Sequence, residues 1–276
     1  MDRPVISFLT DFGPESAPAI CRGVMLSIAR DAQIVDISHS VRKYAIRDAA
    51  YLLWSTAPWL PVGTHVVVVD PGVGTPRHAI AIQTARGDVL VGPDNGVLMP
   101  AAVALGGAVE ARILENRDLM LPRTTATFHG RDLFAPVGAH LAMGAPFESV
   151  GSVIPAADLV ALDFPAPIIA EGALETSVAY VDPFGNLRLF GTPEDLASAV
   201  GPLVPGRLLS VEFRDGAGGT LETVPWTRTF GDRPILSALL YQDSSGWLAF
   251  ADNQGHAARR LGAESGHRVR IEASPA

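Results

Sequence analysis

One stretch, Val66 to Ile82 (VVVVDPGVGTPRHAIAI), constrains what this chain can fold into more than any other. Four consecutive valines mark a strand buried on both faces. The run stops at Asp70, which places a carboxylate at the carboxyl end of a core strand, where open α/β sheets bind their ligands. The turn Pro71-Gly72-Val73-Gly74 reverses the chain, and Arg77 precedes a second apolar run, Ala79 to Ile82. An acid and a base therefore flank one Gly/Pro turn between two buried strands. Taken alone, the pair reads equally well as an ion pair stapling a hairpin or as part of a site.

The rest of the chain sets bounds on that site. Of 276 residues, 48% are hydrophobic and 18% charged, which suits a well-cored globular protein. The net charge of -8, with no run of Lys or Arg, leaves no basic footprint for a nucleic-acid backbone. The one cysteine, Cys21, sits in a helical-looking segment and reads as a packing residue. The amino terminus enters a core-like strand directly, with no signal-peptide pattern and no membrane-length apolar run, so the expectation is a soluble cytoplasmic protein.

Strand and helix patterns alternate through the first half. Val5–Thr10, Gln33–Ile37, Val66–Val69, Ala79–Ile82, Asp88–Val91 and Val109–Leu114 read as extended. Between them, Ala19–Arg30 (Ile20, Val24, Met25 and Ile28 on one side), Ile46–Trp59, Val97–Leu105 and Arg131–Met143 read as helical. This alternation predicts a Rossmann-like α/β domain over residues 1–160, with a mostly parallel sheet covered on both faces. No GxGxxG opens a helix, so a nicotinamide or flavin reading is poor. Residues 155–171, with three prolines and no periodicity, read as a linker. Over 172–276 short strands dominate: Ser177–Val181, Leu187–Phe190, Leu208–Phe213, Ile235–Tyr241, Trp247–Ala251 and Val269–Ile271. Turns such as Asp215–Gly219 separate them, and they predict a smaller antiparallel β domain.

Polar clusters end several buried-looking strands: Asp11, the Asp70 and Arg77 pair, and the segment Thr125–Pro136, which holds His129. No Cys or His cluster has metal-ligand spacing, and no Ser lies in a GxSxG elbow. In the second half, Asp182–Asn186, Ser244–Gly246 and Asn253–Gly255 could each be a hairpin turn. Residue chemistry alone stops at an α/β plus β enzyme with an Asp/Arg/His cleft.

The motifs together go further. LTDFG at Leu9–Gly13, DISHS at Asp36–Ser40, DPGVG with Arg77, GPDNG at Gly92–Gly96, FHGRDLFAP at Phe128–Pro136, DPFGN at Asp182–Asn186 and SSG with a later Asn occur in one order. The series resembles the S-adenosyl-L-methionine (SAM) hydrolases that form adenosine, also called SAM hydroxide adenosyltransferases. These share a superfamily with the fluorinase and chlorinase. The resemblance implies an α/β first domain, a smaller antiparallel β-barrel-like second domain and a homotrimer, with substrate held between one subunit's first domain and its neighbour's second. Asp70, Arg77 and His129 match the hydrolase triad, whereas the halogenases replace at least the Asp by an aromatic residue. The turn Thr84–Asp88 is also short where the fluorinase carries a long insertion.

The reaction so implied is attack of water or hydroxide on ribose C5', releasing adenosine and L-methionine, with no cofactor and no metal. Asp70 accepts from the water and holds Arg77, Arg77 favours hydroxide, and His129 orients the water or takes its proton. The resemblance further implies Asp11 on the ribose hydroxyls and Tyr44 packing on the ligand. It places Asp182 on the methionine ammonium, Phe184 and Phe230 on the adenine, Asn186 on an adenine edge and Ser244 near the methionine carboxylate. Asn95 is expected as a substrate contact or as a support behind one, and Asn253 completes the expected substrate contacts. At Ser245 the fluorinase-like pattern has Arg, so carboxylate binding must be supplied differently. The alternatives are a SAM-dependent halogenase and a SAM- or adenosine-binding sensor.

Overall fold

The computed structural model describes residues 3–122, 125–170, 172–215 and 219–274. The interior of the expected Asp215–Gly219 turn, the last linker residue and the last two residues of the second expected domain lie outside the described residues. The chain forms two compact units, Met1–Asp163 and Phe164–Ala276.

The first unit contains β1 (Val5–Thr10), α1 (Ser16–Ile28), β2 (Gln33–Ser38), α2 (Ile46–Thr56), β3 (Thr64–Val68), β4 (Ala79–Thr84), β5 (Val89–Pro93), α3 (Met99–Ala104), β6 (Ala108–Ile113) and α4 (Ala135–Ala142). The strands run in the order β2-β1-β3-β5-β4-β6. Neighbours from β2 to β5 pair parallel, and β4 pairs antiparallel with both β5 and β6, so the sheet is mixed. β3 and β4 are therefore not a hairpin. The tight turn after β4, where Gly87 N–H donates to the Thr84 carbonyl, folds β5 back between them. The Asp70–Arg77 turn spans that inserted strand.

β3 is buried along its whole length, as its valines require. Val66 and Val68 share one core with Ile6 and Phe8 of β1, Cys21 and Met25 of α1, and Val137 of α4. The buried positions of α1 are Pro18, Cys21 and Met25, with Val24 and Ile28 partly covered. Ile20, expected on that stripe, is 42% exposed, because the 3.6-residue period that buries Cys21 and Met25 turns position 20 outward. Cys21 is a buried packing residue, and burial pushes its thiol up to about 12.

The stretch expected as linker is docked to a large extent. Val160 N–H donates to Asp94 Oδ1 at 2.9 Å, and Leu162 packs against Gly96. Further on, Ile168–Ala170 forms β7, paired with β8 (Ala173–Val181). The second unit continues with β9 (Leu187–Leu189), α5 (Pro193–Val200), β10 (Leu208–Phe213), β11 (Thr220–Pro225), β12 (Ala238–Gln242), β13 (Leu248–Asp252), α6 (Ala257–Leu261) and β14 (Arg268–Ala273). Antiparallel pairing runs β11-β10-β14-β8-β9-β13-β12. A bridge from Trp226, just after β11, to Leu240 on β12 brings the two ends of this path together into a nearly closed barrel. Alternate residues such as Leu209, Val211, Phe213, Val269 and Ile271 fill its interior. β12 begins later than the expected Ile235, because Leu236 adopts a positive φ and donates its N–H to the Asn253 carbonyl. Among the described residues no helix is long and apolar enough to cross a membrane.

Candidate active site

β1 and β3 lie side by side, with Leu9 opposite Val67 and Thr10 opposite Val68. The chain leaves β1 for β2 on one side and returns to β3 on the other, which makes the crevice at their carboxyl ends the switch point of the sheet. Asp11 follows β1 directly and Asp70 follows β3 by two residues. Both line a cleft of about 240 Å³ together with Phe12, Lys43, Tyr44 and His129. Asp11 Oδ2 accepts the Tyr44 N–H at 2.9 Å, while the Tyr44 side chain is 69% exposed on a positive-φ backbone. The DISHS segment supports this loop: Gly13 N–H donates to the His39 carbonyl at 2.7 Å, and Thr10 Oγ1 lies 3.0 Å from His39 Nδ1.

The structure joins the three residues of the expected triad into one relay. Arg77 Nε donates to Asp70 Oδ1 at 2.9 Å, and Nη2 donates to Asp70 Oδ2. The same Nη2 lies 3.0 Å from His129 Nδ1. A guanidinium only donates, so Nδ1 accepts and the proton of the neutral imidazole sits on Nε2. Burial pushes the His129 pKa below its ordinary value and the Arg77 charge pushes it further, against the opposing pull of Asp70 and Asp132. This histidine is therefore neutral at neutral pH and has a donor, Nε2–H, to offer the cleft it lines. The Arg77 guanidinium also sits over the Phe134 ring, 5.3 Å from its centroid.

Local backbone features hold the relay in place. Gly74 has φ +77, and a Cβ there would lie 2.8 Å from the Ala126 carbonyl oxygen, so glycine lets the Asp70–Arg77 turn press against the segment carrying His129. That segment is tied by Asp132, whose Oδ2 accepts the Thr125 N–H at 2.7 Å and the Thr125 hydroxyl at 2.8 Å. Burial raises the Asp132 pKa, but these bonds and Arg131 outweigh it and hold the carboxylate below its ordinary range. Immediately after His129, Gly130–Phe134 form one π-helical turn, a distortion frequent at functional sites. Asn95 does not line the cleft. Its Nδ2 donates to the Val69 carbonyl at 2.9 Å and its Oδ1 accepts the Val97 N–H, which fixes the backbone entering Asp70.

A second polar network in this unit is sealed. Ser7 Oγ, His65 and Asp88 are linked at 2.7 and 3.1 Å, yet all three side chains are buried. They cluster at the amino end of β3, away from Asp70. The network is structural.

In the second unit, the residues expected to bind substrate come together in one cavity of about 680 Å³: Asp182, Phe184, Asn186, Phe230, Ser244 and Asn253. Asp182 Oδ1 accepts the N–H groups of Phe184 and Asn186, each at 2.9 Å, and Oδ2 accepts Asn186 Nδ2 at 2.8 Å. Phe184 is 76% exposed, whereas the Phe230 ring packs on Tyr241 with centroids 4.8 Å apart. Asn253 is buried and donates Nδ2 to the Arg233 carbonyl. The sequence reading missed Lys43, Arg188, Tyr241 and Asp243 as lining residues. A signal exists for two of them: Asp243 follows a core strand as Asp11 does, and Arg188 interrupts Leu187 and Leu189. Among the described residues no group of three or more His, Cys, Asp or Glu side chains is placed to hold a metal ion.

Residues 6–151 match the sequence profile of the SAM hydroxide adenosyltransferase N-terminal domain, and residues 176–270 match that of the C-terminal domain. An (R)-S-adenosyl-L-methionine hydrolase of Salinispora arenicola is 42% identical over 98% of each chain. A fluorinase of Actinopolyspora mzabensis is 29% identical, covering 99% of this chain and 98% of its own. An uncharacterized conserved protein from Thermotoga maritima, solved by crystallography, superposes with a TM-score of 0.85 at 34% identity, covering 97% of this chain and 99% of its own.

Proposed function

This chain belongs to the SAM hydroxide adenosyltransferase family, and we propose that it is a SAM hydrolase that forms adenosine and L-methionine. The observation that carries the reading is the Asp70–Arg77–His129 relay in the cleft at the switch point of the sheet. In the reaction a C5'–O bond forms, the C5'–S bond breaks, and its electron pair goes to sulfur. Methionine leaves as a neutral thioether, so no acid is needed at sulfur and no cofactor is called for. The difficulty lies with the nucleophile, since the pKa of bulk water is ~15.7. Holding it in line with the C–S bond supplies on the order of 7–11 kcal/mol.

The His129 tautomer divides the labour. Nε2–H donates to the water oxygen, so the proton that water loses goes toward a different group. Asp70 is the acceptor in the relay, because a carboxylate keeps lone pairs beyond the two bonds it receives from Arg77. The positive charge of Arg77 favours hydroxide character at the same point. A halide there would meet the Asp70 carboxylate at close range, which disfavours an anion as nucleophile.

The hydrolase relatives are named for the R configuration at sulfur, and we take the same epimer as the substrate here. The substrate is shared between subunits of a homotrimer, a neighbour's second unit covering the first unit's cleft. Supporting this, the cleft of about 240 Å³ falls below the ~300–1,000 Å³ usual for a ligand of this size. The single, buried cysteine suits a cytoplasmic location.

Incubation with each SAM epimer, with and without chloride or fluoride, followed by chromatography, tests the reaction. Adenosine from the R epimer, with or without halide, supports it; turnover of the S epimer alone, a dominant 5'-halo product, or no turnover of either epimer refutes it. The shared site is tested by co-refolding an Asp70→Ala chain with an Asp182→Asn, Phe230→Ala chain. Assayed at substrate well below the raised KM, mixed oligomers turn over faster than either parent, and no recovery would eliminate sharing.

A further inference from the structure

The 680 Å³ cavity of the second unit is lined by three carboxylates, Asp182, Asp243 and Asp252, and by one guanidinium, Arg188. Asp252 is already engaged, with its two oxygens accepting Arg260 at 2.8 and 2.9 Å. Arg188 has a different setting. Its neighbours Leu187 and Leu189 point into the barrel core, so strand alternation turns Arg188 to the opposite face. On that face it stands in one cross-strand row with Ala249 and Tyr241. Arg188 and Tyr241 both line the hollow of this cavity, whereas Ala249 is fully buried and does not.

Two observations show that this arginine is placed in a built site and is not simply solvated. Its Nε lies 3.5 Å from Asp243 Oδ2, the Asp243 side chain being 6% exposed and that of Arg188 28%. Asp243 is itself locked, its Oδ1 accepting the N–H groups of Ser245 at 2.8 Å and Trp247 at 3.0 Å. The buried Oδ2 makes no hydrogen bond, so its charge acts on the guanidinium. The charges converge on the hollow as well: burial, then Asp182 and Asp243, push the Tyr241 phenol up to about 12, with Arg188 opposing.

A carboxylate and a guanidinium around one hollow match a zwitterion. We propose that Arg188, held by Asp243, binds the α-carboxylate of the methionyl group and makes this cavity selective for an intact amino acid. The identity of the ligand rests on the hydrolase reading; the need for a carboxylate rests on the cavity. Arginine's planar fork suits a carboxylate better than the point charge of lysine does.

Binding of SAM and of its carboxamide, in which the α-carboxylate is an uncharged amide, is measured by calorimetry on the Asp70→Ala protein, whose slowed turnover leaves the substrate largely intact during the titration. SAM is expected to bind about 10- to 100-fold more tightly, as for a charge-assisted bond. Adding Arg188→Gln abolishes that preference while adenosine binding changes less than twofold, and Arg188→Lys restores it in part. Equal affinity for the two ligands before Arg188 is changed overturns the proposal, as does an undiminished preference in Arg188→Gln. Should Arg188→Gln fail to fold, the preference of the unaltered cavity and its weakening in Arg188→Lys decide the matter. Turnover without carboxylate preference removes the proposal alone. Preference without turnover in the wild-type protein removes the hydrolase reading and leaves the clamp.

Discussion

In the first unit's cleft Asp70, Arg77 and His129 are committed to one another. The Asp70 and Arg77 side chains are 5% and 12% exposed, and the His129 Nδ1 lone pair is taken by Arg77. The second unit's cavity is nearly three times larger, about 680 against 240 Å³, with Phe184 lying open and its carboxylates spread around the wall. A small, prearranged polar relay suits charge that develops only in a transition state. A broad cavity with exposed aromatic surface suits ground-state contacts made equally before and during reaction. On the proposed reading the two regions divide chemistry from recognition, and variants in them should separate in kcat and KM.

The largest effect is expected at Asp70. Asp70→Ala removes the acceptor and the anchor of Arg77 together, and steady-state assays should show kcat down about 10²–10⁴-fold with KM within a few-fold. His129→Ala, which removes a donor, should cost about 10²–10³-fold. In the second unit, Asp182→Asn keeps an oxygen for the Phe184 and Asn186 N–H groups but removes the charge. KM should rise about 10-fold with little change in kcat, the cost of one charge-assisted contact. A fall in kcat at Asp182 matching that at Asp70 would erase the division.

The unequal legibility of the two regions in the sequence has a physical basis. Val66–Val69 announces a buried strand because β-branched runs have few other uses, and an acid ending such a strand marks the ligand end of a sheet. Asp11, Asp70, Arg77 and His129 were readable from local pattern and motif order. Strand order was not: nothing local in Val89–Pro93 says that β5 inserts between β3 and β4, since pairing is decided by tertiary contact. Helix α5 carried a usable signal, because Thr192-Pro193-Glu194-Asp195 is a capping box with Pro at the first position, but it sits among short strands. Arg188 and Asp243 stayed hidden because a charge on a short strand reads as solvated until the cavity above it is seen.

A smaller and more diagnostic effect concerns pH. His129 has a lowered pKa in the folded protein, so it stays neutral to below the ordinary value of about 6.5. Turnover should be flat from neutrality downward until that lower pKa is reached, then fall about tenfold per unit as the second proton displaces the Nδ1 bond to Arg77. Stability follows the same sign. Between the lowered pKa and about 6.5 the unfolded chain binds more protons, so stability rises with pH through that window and this group adds nothing further above it. Nitrogen-15 spectra of labelled histidine check both points. The expected signal at neutral pH is an Nε2–H imidazole with Nδ1 bare; an Nδ1–H tautomer would return His129 to the role of base.

Asn95 gives the mildest test and separates two accounts of one residue. The resemblance left it either a substrate contact, which predicts a KM effect, or a support behind one. The structure uses both ends of its amide on backbone, the Val69 carbonyl and the Val97 N–H. A residue acting through the position of Asp70 should change kcat, because small displacements of an aligned group are felt in the reaction step. Asn95→Ala is expected to lower kcat by roughly 3- to 10-fold with KM unchanged, and to cost about 1 kcal/mol of stability for the lost bonds. Asn95→Asp should be worse on both counts, since it places a carboxylate oxygen against the Val69 carbonyl where a donor stood. If both variants raise KM and leave kcat alone, Asn95 belongs with the second unit's contacts as part of recognition, and the relay's backbone support must come from elsewhere.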